Sequence, residues 1–229
     1  MLLLVTDTSG KNGSVALAQA GEAMRAGEVQ VIQNAPLAGG TFSAQLVPQV
    51  AALLAKHGFK KTDIGAFIVV SGPGSFTGLR VGLAAIKGLA EVLRKPIVPI
   101  SLLELTALAS GNQGKVLSAL DAGRGEVYAG EYEIAGEVAH VLRQRLIAKS
   151  ELLSVGVGSL ISTPDETLAG LARDAGLKVF KIETVSVQMI AQLGWRKLRD
   201  GKTVTPEQLE ANYIRRTDAE IFAKQAPGF

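Results

Sequence analysis

The sequence contains no cysteine. Disulfides, thiolate-held zinc and a cysteine nucleophile are therefore excluded. Its only histidines, His57 and His140, lie far apart, and neither H-E-x-x-H nor H-x-x-x-H occurs. A histidine-based zinc protease is not supported. There is no G-x-S-x-G elbow, and no Gly-Lys-Ser/Thr follows the glycines of residues 72–74. No apolar run approaches the ~20 residues that span a bilayer. The opening Met1–Asp7 lacks the basic segment and small-residue cleavage site of a signal peptide. The expectation is a soluble, cytoplasmic protein without membrane contact, with no metal site and no nucleophile–base set.

Apolar residues make up 47% and charged residues 20% of the 229, enough to fill one large core or two smaller ones. The net charge is +3 and the pI about 9.2. That permits contact with nucleic acid without requiring it. The basic residues are scattered in small groups such as Lys60-Lys61, Arg143 with Arg145, and Arg215-Arg216. Each group reads most simply as solvated surface.

The first half reads as strands at 2–6, 14–20 and 28–33, then a helix from near Ser43 with the stripe Leu46, Val50, Leu53 and Leu54. Gly58 stops that helix, and Pro48 lies within it. The continuous apolar run 64–70 predicts a strand buried on both faces. A glycine turn and helix follow, then a strand at 96–101 and a capping box, Ser101 to Glu104. This order predicts a mixed sheet with crossover helices. Residues 115–134 start the pattern again: Asp121 stands 114 residues after Asp7, each ending an apolar strand beside a glycine turn. Further strands are predicted at 138–147 and 177–183 and a helix at 186–201, with a tail from 202 that is polar apart from one ordered-looking piece, LEANYIRR. Two related lobes, 1–110 and 111–229, are the expected domains.

The densest signal is SGPGSFTGLRVGLAAIKGLA, residues 71–90. Ser75 or Thr77 can cap its helix. Leu79, Leu83, Ile86, Ala90 and Leu93 form one stripe, with Gly78, Gly82, Ala85, Leu89 and Val92 beside it. The apolar arc spans roughly 220°, whereas a helix on a sheet needs about 100°. Gly78, Gly82 and Gly88 together weaken the helix by roughly 2–3 kcal/mol relative to alanine. The surplus of small residues points to close approach by a second body, either another helix of this chain or a partner backbone. The turn Gly72-Pro73-Gly74-Ser75 offers backbone N–H groups at a helix start, which suits an anion. Asp7, with Thr8 and Ser9 after it, and Asp121 read either as phosphate-site residues or as aspartates that satisfy turn amides.

At residues 71–90 the sequence closely resembles the TsaB (YeaZ) family of tRNA threonylcarbamoyladenosine biosynthesis proteins, also described as glycoprotease-like. The opening LLLVTDTSGKNGSVAL, the helix SAQLVPQV, ALDAGRGEVYAGEY and ANYIRR agree with it. The resemblance implies an α/β, actin-like (ASKHA, ribonuclease H-like) fold of two related lobes. It implies no catalysis by the chain alone. Such proteins pair with a catalytic TsaD-like paralogue, which holds the metal and nucleotide, and a TsaE-like ATPase joins them. Together they transfer threonylcarbamoyl to the adenosine beside the anticodon of tRNAs reading ANN codons. The implied pairing surface is the 43–57 and 75–93 helices, with Leu46, Val50, Leu53, Gly78, Gly82, Ala85 and Leu89. The chain alone is expected to form a homodimer through the same surface. No cofactor is expected to bind it tightly; weak ATP or ADP at the complex interface would meet Asp7, Thr8, Ser9, Gly72, Gly74, Ser75 and Asp121. Contact with tRNA is expected only through the complex. Two positions depart from the family pattern. Phe42 stands where many members have His, and Gly123 follows Asp121-Ala122 directly, with Arg124 one place later. The alternative function is an actin-like small-molecule kinase, which would need an ATP site of which only fragments are legible.

Overall fold

A computed structural model describes residues 1–21 and 28–214. Arg215-Arg216, and with them the end of the predicted tail, lie outside the described residues. Strand β1 (Leu2–Asp7) pairs antiparallel with β2 (Gly13–Ala20), and β2 with β3 (Val29–Leu37). Helix α1 (Phe42–Lys56) leads to β4 (Ile64–Gly72), which lies parallel to β1. Helix α2 (Phe76–Leu93) leads to β5 (Ile97–Ser101), parallel to β4. The sheet order is β3-β2-β1-β4-β5.

The second half repeats this plan. After α3 (Leu102–Leu108) come β6 (Gly114–Gly123), β7 (Glu126–Ala135), β8 (Val138–Ala148), α4 (Leu152–Val155), β9 (Leu160–Thr163), α5 (Glu166–Asp174), β10 (Val179–Lys181) and α6 (Val187–Arg199). Their sheet order is β10-β9-β6-β7-β8, the first order read from the other edge. Three antiparallel strands are followed by two parallel ones in each sheet. Two such mixed sheets flanked by helices are the actin-like, ribonuclease H-like architecture expected from the resemblance.

Alternation along β1 shows how the first sheet is covered. Leu2 and Leu4 join Leu17, Phe67 and the inner faces of α1 and α2 in one buried layer. Leu3 and Val5 join Ala16, Ile68 and Ile190, Ala191 and Leu193 of α6 in the opposite layer. The 64–70 run is apolar throughout because β4 is covered on both faces.

The helices do not respect a division at residue 110. Helix α6, late in the chain, closes the first sheet, whereas α3 packs its Leu103 and Ala107 against Val116, Tyr132 and Ile134 of the second. The predicted polar tail is likewise anchored. Val204 bridges to Ile97, and Leu209 is buried in the α1–α2 layer. The Asn212 N–H donates to the Ser71 carbonyl at 2.8 Å.

Candidate functional site

Five segments converge on a cleft of about 1090 Å³: the β1–β2 turn, the β3–α1 loop with the start of α1, the β4–α2 turn, the β6–β7 turn and the tail around Asn212 and Tyr213. Both repeated strand–turn units thus face one space. Of the residues singled out in sequence for a nucleotide or phosphate, Ser9, Gly74, Ser75 and Asp121 line it, as do Phe42, Gly78 and Arg124. Asp7, Thr8 and Gly72 are not among its lining residues.

One oxygen of Asp7 serves its own turn. Its Oδ1 accepts from the Ser9 N–H at 2.8 Å and the Ser9 hydroxyl at 2.6 Å. Burial pushes its carboxyl above the usual 3.8, while both Ser9 bonds pull the other way. Asp121 pairs with Lys149 at 3.0 Å. Of the two sequence readings, the turn-satisfying one fits Asp7. Among the described residues no group of three or more histidine, aspartate or glutamate side chains is placed to hold a metal ion.

The glycines of α2 need correction. Gly78 and Gly82 face inward: a Cβ on Gly78 would overlap the Thr8 carbonyl, and one on Gly82 would overlap the Thr8 hydroxyl. The backbone that approaches this stripe is therefore the chain's own β1–β2 turn, not a partner's. Leu46, Val50 and Leu53 are buried in the chain's own core at 1%, 5% and 3% exposure. Ala85 and Leu89 are half-buried against that core. The wide apolar arc misled because it holds two faces. The outward one carries Ala84, Gly88 and Val92 on α2 and Ala44, Val47 and Ala51 on α1, with Val47 50% and Val92 74% exposed. A Cβ on Gly88 would meet nothing within 4 Å.

Ser75 caps α2, accepting from the Gly78 N–H at 3.2 Å. Its own N–H is already spent on the Ser9 carbonyl at 2.7 Å, which ties the two first-lobe turns together. Gly72 sits at φ 117°, open to glycine and little else. Phe42 opens α1 and wedges its ring against Gly13, where a Cβ would lie 2.9 Å away. Arg124 occupies the two-residue β6–β7 turn at φ 55° and lines the cleft. That left-handed conformation is uncommon for a side chain of its size.

Sequence reasoning missed the cleft rim. The Arg80 guanidinium lies 3.6 Å from the Phe76 ring centre, and its Nε donates to the Tyr213 hydroxyl at 3.1 Å. The Phe76 and Tyr213 rings are 5.4 Å apart. The i, i+4 spacing of Phe76 and Arg80 was a usable signal; the Tyr213 contact, 133 residues away, was not. The cleft also takes Lys11 and Asn12. Behind it, the Asn212 amide donates to Gln144 Oε1 at 3.0 Å, and the Gln144 amide donates to the Tyr132 hydroxyl at 2.6 Å. Burial pushes Tyr132 up to about 12.

Residues 36–194 match the family described as TsaD, tRNA N6-adenosine threonylcarbamoyltransferase. The whole chain aligns with a protein of Escherichia coli K12 named tRNA threonylcarbamoyladenosine biosynthesis protein TsaB. Identity is 29% over 248 residues, covering 100% of this chain and 99% of that protein. A Haemophilus influenzae protein of the same name is 36% identical over 133 residues, which is 56% of this chain and 52% of the other. Among solved structures, YeaZ from Pseudomonas aeruginosa has the same fold, with TM-score 0.71, 22% identity, and coverage of 93% of this chain and 99% of that one.

Proposed function

The chain belongs to the TsaB/YeaZ family of the glycoprotease-like, actin-like superfamily, and from that premise we propose that it serves in forming threonylcarbamoyladenosine on tRNA. In this reading it is a non-catalytic subunit. It binds a TsaD-like catalytic paralogue and supports threonylcarbamoyl transfer to the adenosine beside the anticodon of tRNAs reading ANN codons. A TsaE-like ATPase joins the complex. The observation that carries the reading is the end-to-end correspondence with the E. coli protein named for this biosynthesis.

Two features of the site support the assignment of roles. Asp7 accepts from Ser9 through one oxygen, and Asp121 forms a partly exposed ion pair with Lys149, so each aspartate already has a partner within the chain. The outward face of α1 and α2 carries small or apolar exposed residues at Ala44, Val47, Ala84, Gly88 and Val92, bordered by the exposed charges Arg80 and Glu91. Small side chains let a second helix approach closely, and exposed valines there add apolar area for it to bury. The same face would join two copies when the paralogue is absent. ATP or ADP, if it engages the chain at all, does so weakly and at the complex interface.

The test is pairing with the purified TsaD-like paralogue, followed by size-exclusion chromatography. Wild-type chain co-elutes. Val92→Glu and Gly88→Glu, each at an exposed position, do not, while their thermal unfolding stays close to wild type. Co-elution unchanged by both substitutions would remove this face from the account.

A further inference from the structure

Strand β8 is the longest among the described residues, 11 residues, and it ends its sheet. Among the described residues nothing pairs with its outer edge. Edge strands are usually kept short, or blunted by proline, bulges or charges that repel a newcomer. Here the devices are a bulge at Leu142 and basic side chains, which repel a basic newcomer but not an acidic one; there is no proline, and three large apolar side chains stand exposed: Val138 at 42%, Val141 at 59% and Leu142 at 59%. The ionisable side chains of the strand are His140, Arg143 and Arg145, with no carboxylate among them.

The inner neighbour shows what this strand accepts. Strand β7 sets Tyr132 opposite Val141 and Ile134 opposite Ala139 on the α3 side. On the other side it sets Glu133 opposite His140 and Glu131 opposite Arg143, with Leu142 as the extra residue of a bulge. The Glu131 carboxylate is itself taken by Arg145 at 2.9 Å. Arg143 is exposed and has no ion pair among the described residues. A strand added on the outside would thus meet an open ladder of backbone groups, an apolar row at Val141 and basic groups at His140 and Arg143. Its best complement alternates apolar and acidic residues, as β7 does.

We propose that the outer edge of β8 binds an extended acidic segment of another protein by strand addition. A second copy of this chain brings only basic ionisable groups to the edge; in antiparallel pairing centred on Val141 and Leu142, for example, His140 would face the other copy's Arg143, whereas an acidic segment brings the opposite charge.

The probe is a labelled peptide alternating glutamate with valine and tyrosine, titrated into the full chain by fluorescence anisotropy. It binds, more weakly as salt rises, and slows hydrogen exchange of amides within 138–148. Replacing its glutamates by lysine, or Arg143→Glu in the protein, weakens binding about ten-fold, the scale of one or two lost cross-strand pairs. N-methylation of the peptide amides that face β8 abolishes binding and leaves the protein untouched, which separates strand addition from any folding defect of the variant. Equal binding of the lysine peptide, protection elsewhere in the chain, or no binding at all overturns the proposal. So does displacement of the peptide by an RNA oligonucleotide, or self-association that blocks the same amides.

Discussion

Gly82 and Gly88 share helix α2 and meet opposite surroundings. A methyl group on Gly82 collides with the Thr8 side chain, whereas one on Gly88 enters open space. Gly82→Ala should therefore lower stability by about 1–3 kcal/mol through overpacking. Gly88→Ala should raise it by roughly 0.5–1 kcal/mol through helix propensity. Urea-unfolding midpoints of the two variants check the pair, and equal shifts would contradict the inward and outward assignment. Asp7 gives a second test at this scale. Its pKa is raised by burial, so the folded state holds that proton more tightly than the unfolded chain. The contribution to stability is full below the ordinary 3.8 and is lost as pH rises through the folded value. Asp7→Asn keeps an oxygen for both Ser9 donors and removes the buried charge. At neutral pH it should be at least as stable as wild type, with the advantage vanishing below about pH 4. Midpoints measured across that range decide it; a variant clearly weaker at pH 7 would show that Ser9 needs the ionised carboxylate.

At the scale of elements, most of the fold was legible. The 64–70 run, the caps at Ser75 and Ser101 and the stripe Leu46, Val50, Leu53, Leu54 each report a local periodicity, and each element formed where that periodicity placed it. The direction of a face was less legible. Helix α2 is apolar over more than half its circumference, so the sequence could not say which stripe met the chain's own sheet. The structure assigns Gly78 and Gly82 to the inside and leaves Gly88 and Val92 outside. In the polar tail the ordered-looking piece LEANYIRR does hold the anchors Leu209, Asn212 and Tyr213, but their partners lie far away in sequence and were not legible. That anchoring has a consequence for α2. Tyr213→Ala removes the hydroxyl that accepts from Arg80 and the ring beside Phe76. Exposed contacts of this kind contribute roughly 0.5–1 kcal/mol. Hydrogen exchange at residues 209–214 should quicken while β1 and β4 stay protected.

For the whole molecule, the exchange of helices between the halves matters most. The first sheet has one layer from α1 and α2 and the other from α6, more than 80 residues later in the chain. A fragment of residues 1–110 leaves Leu3, Val5, Ile68 and Val70 without Ile190 and Leu193. It should not give a cooperative thermal transition, although the repeat in sequence suggests an independent lobe. No described helix is long and apolar enough to cross a membrane. The repeated strand–turn units face one cleft, yet their aspartates are tied to Ser9 and Lys149. Under the proposed function, reactivity lies in the paralogue and this chain has the supporting role. The direct test is threonylcarbamoyl transfer to tRNA in a purified system, read by mass spectrometry of the digested nucleosides. Paralogue and ATPase with this chain should form the modified adenosine. Omitting the chain, or supplying it as Val92→Glu, should abolish the product, and the chain with the ATPase but without the paralogue should form none. Modified adenosine made by this chain in the paralogue's absence would contradict the account.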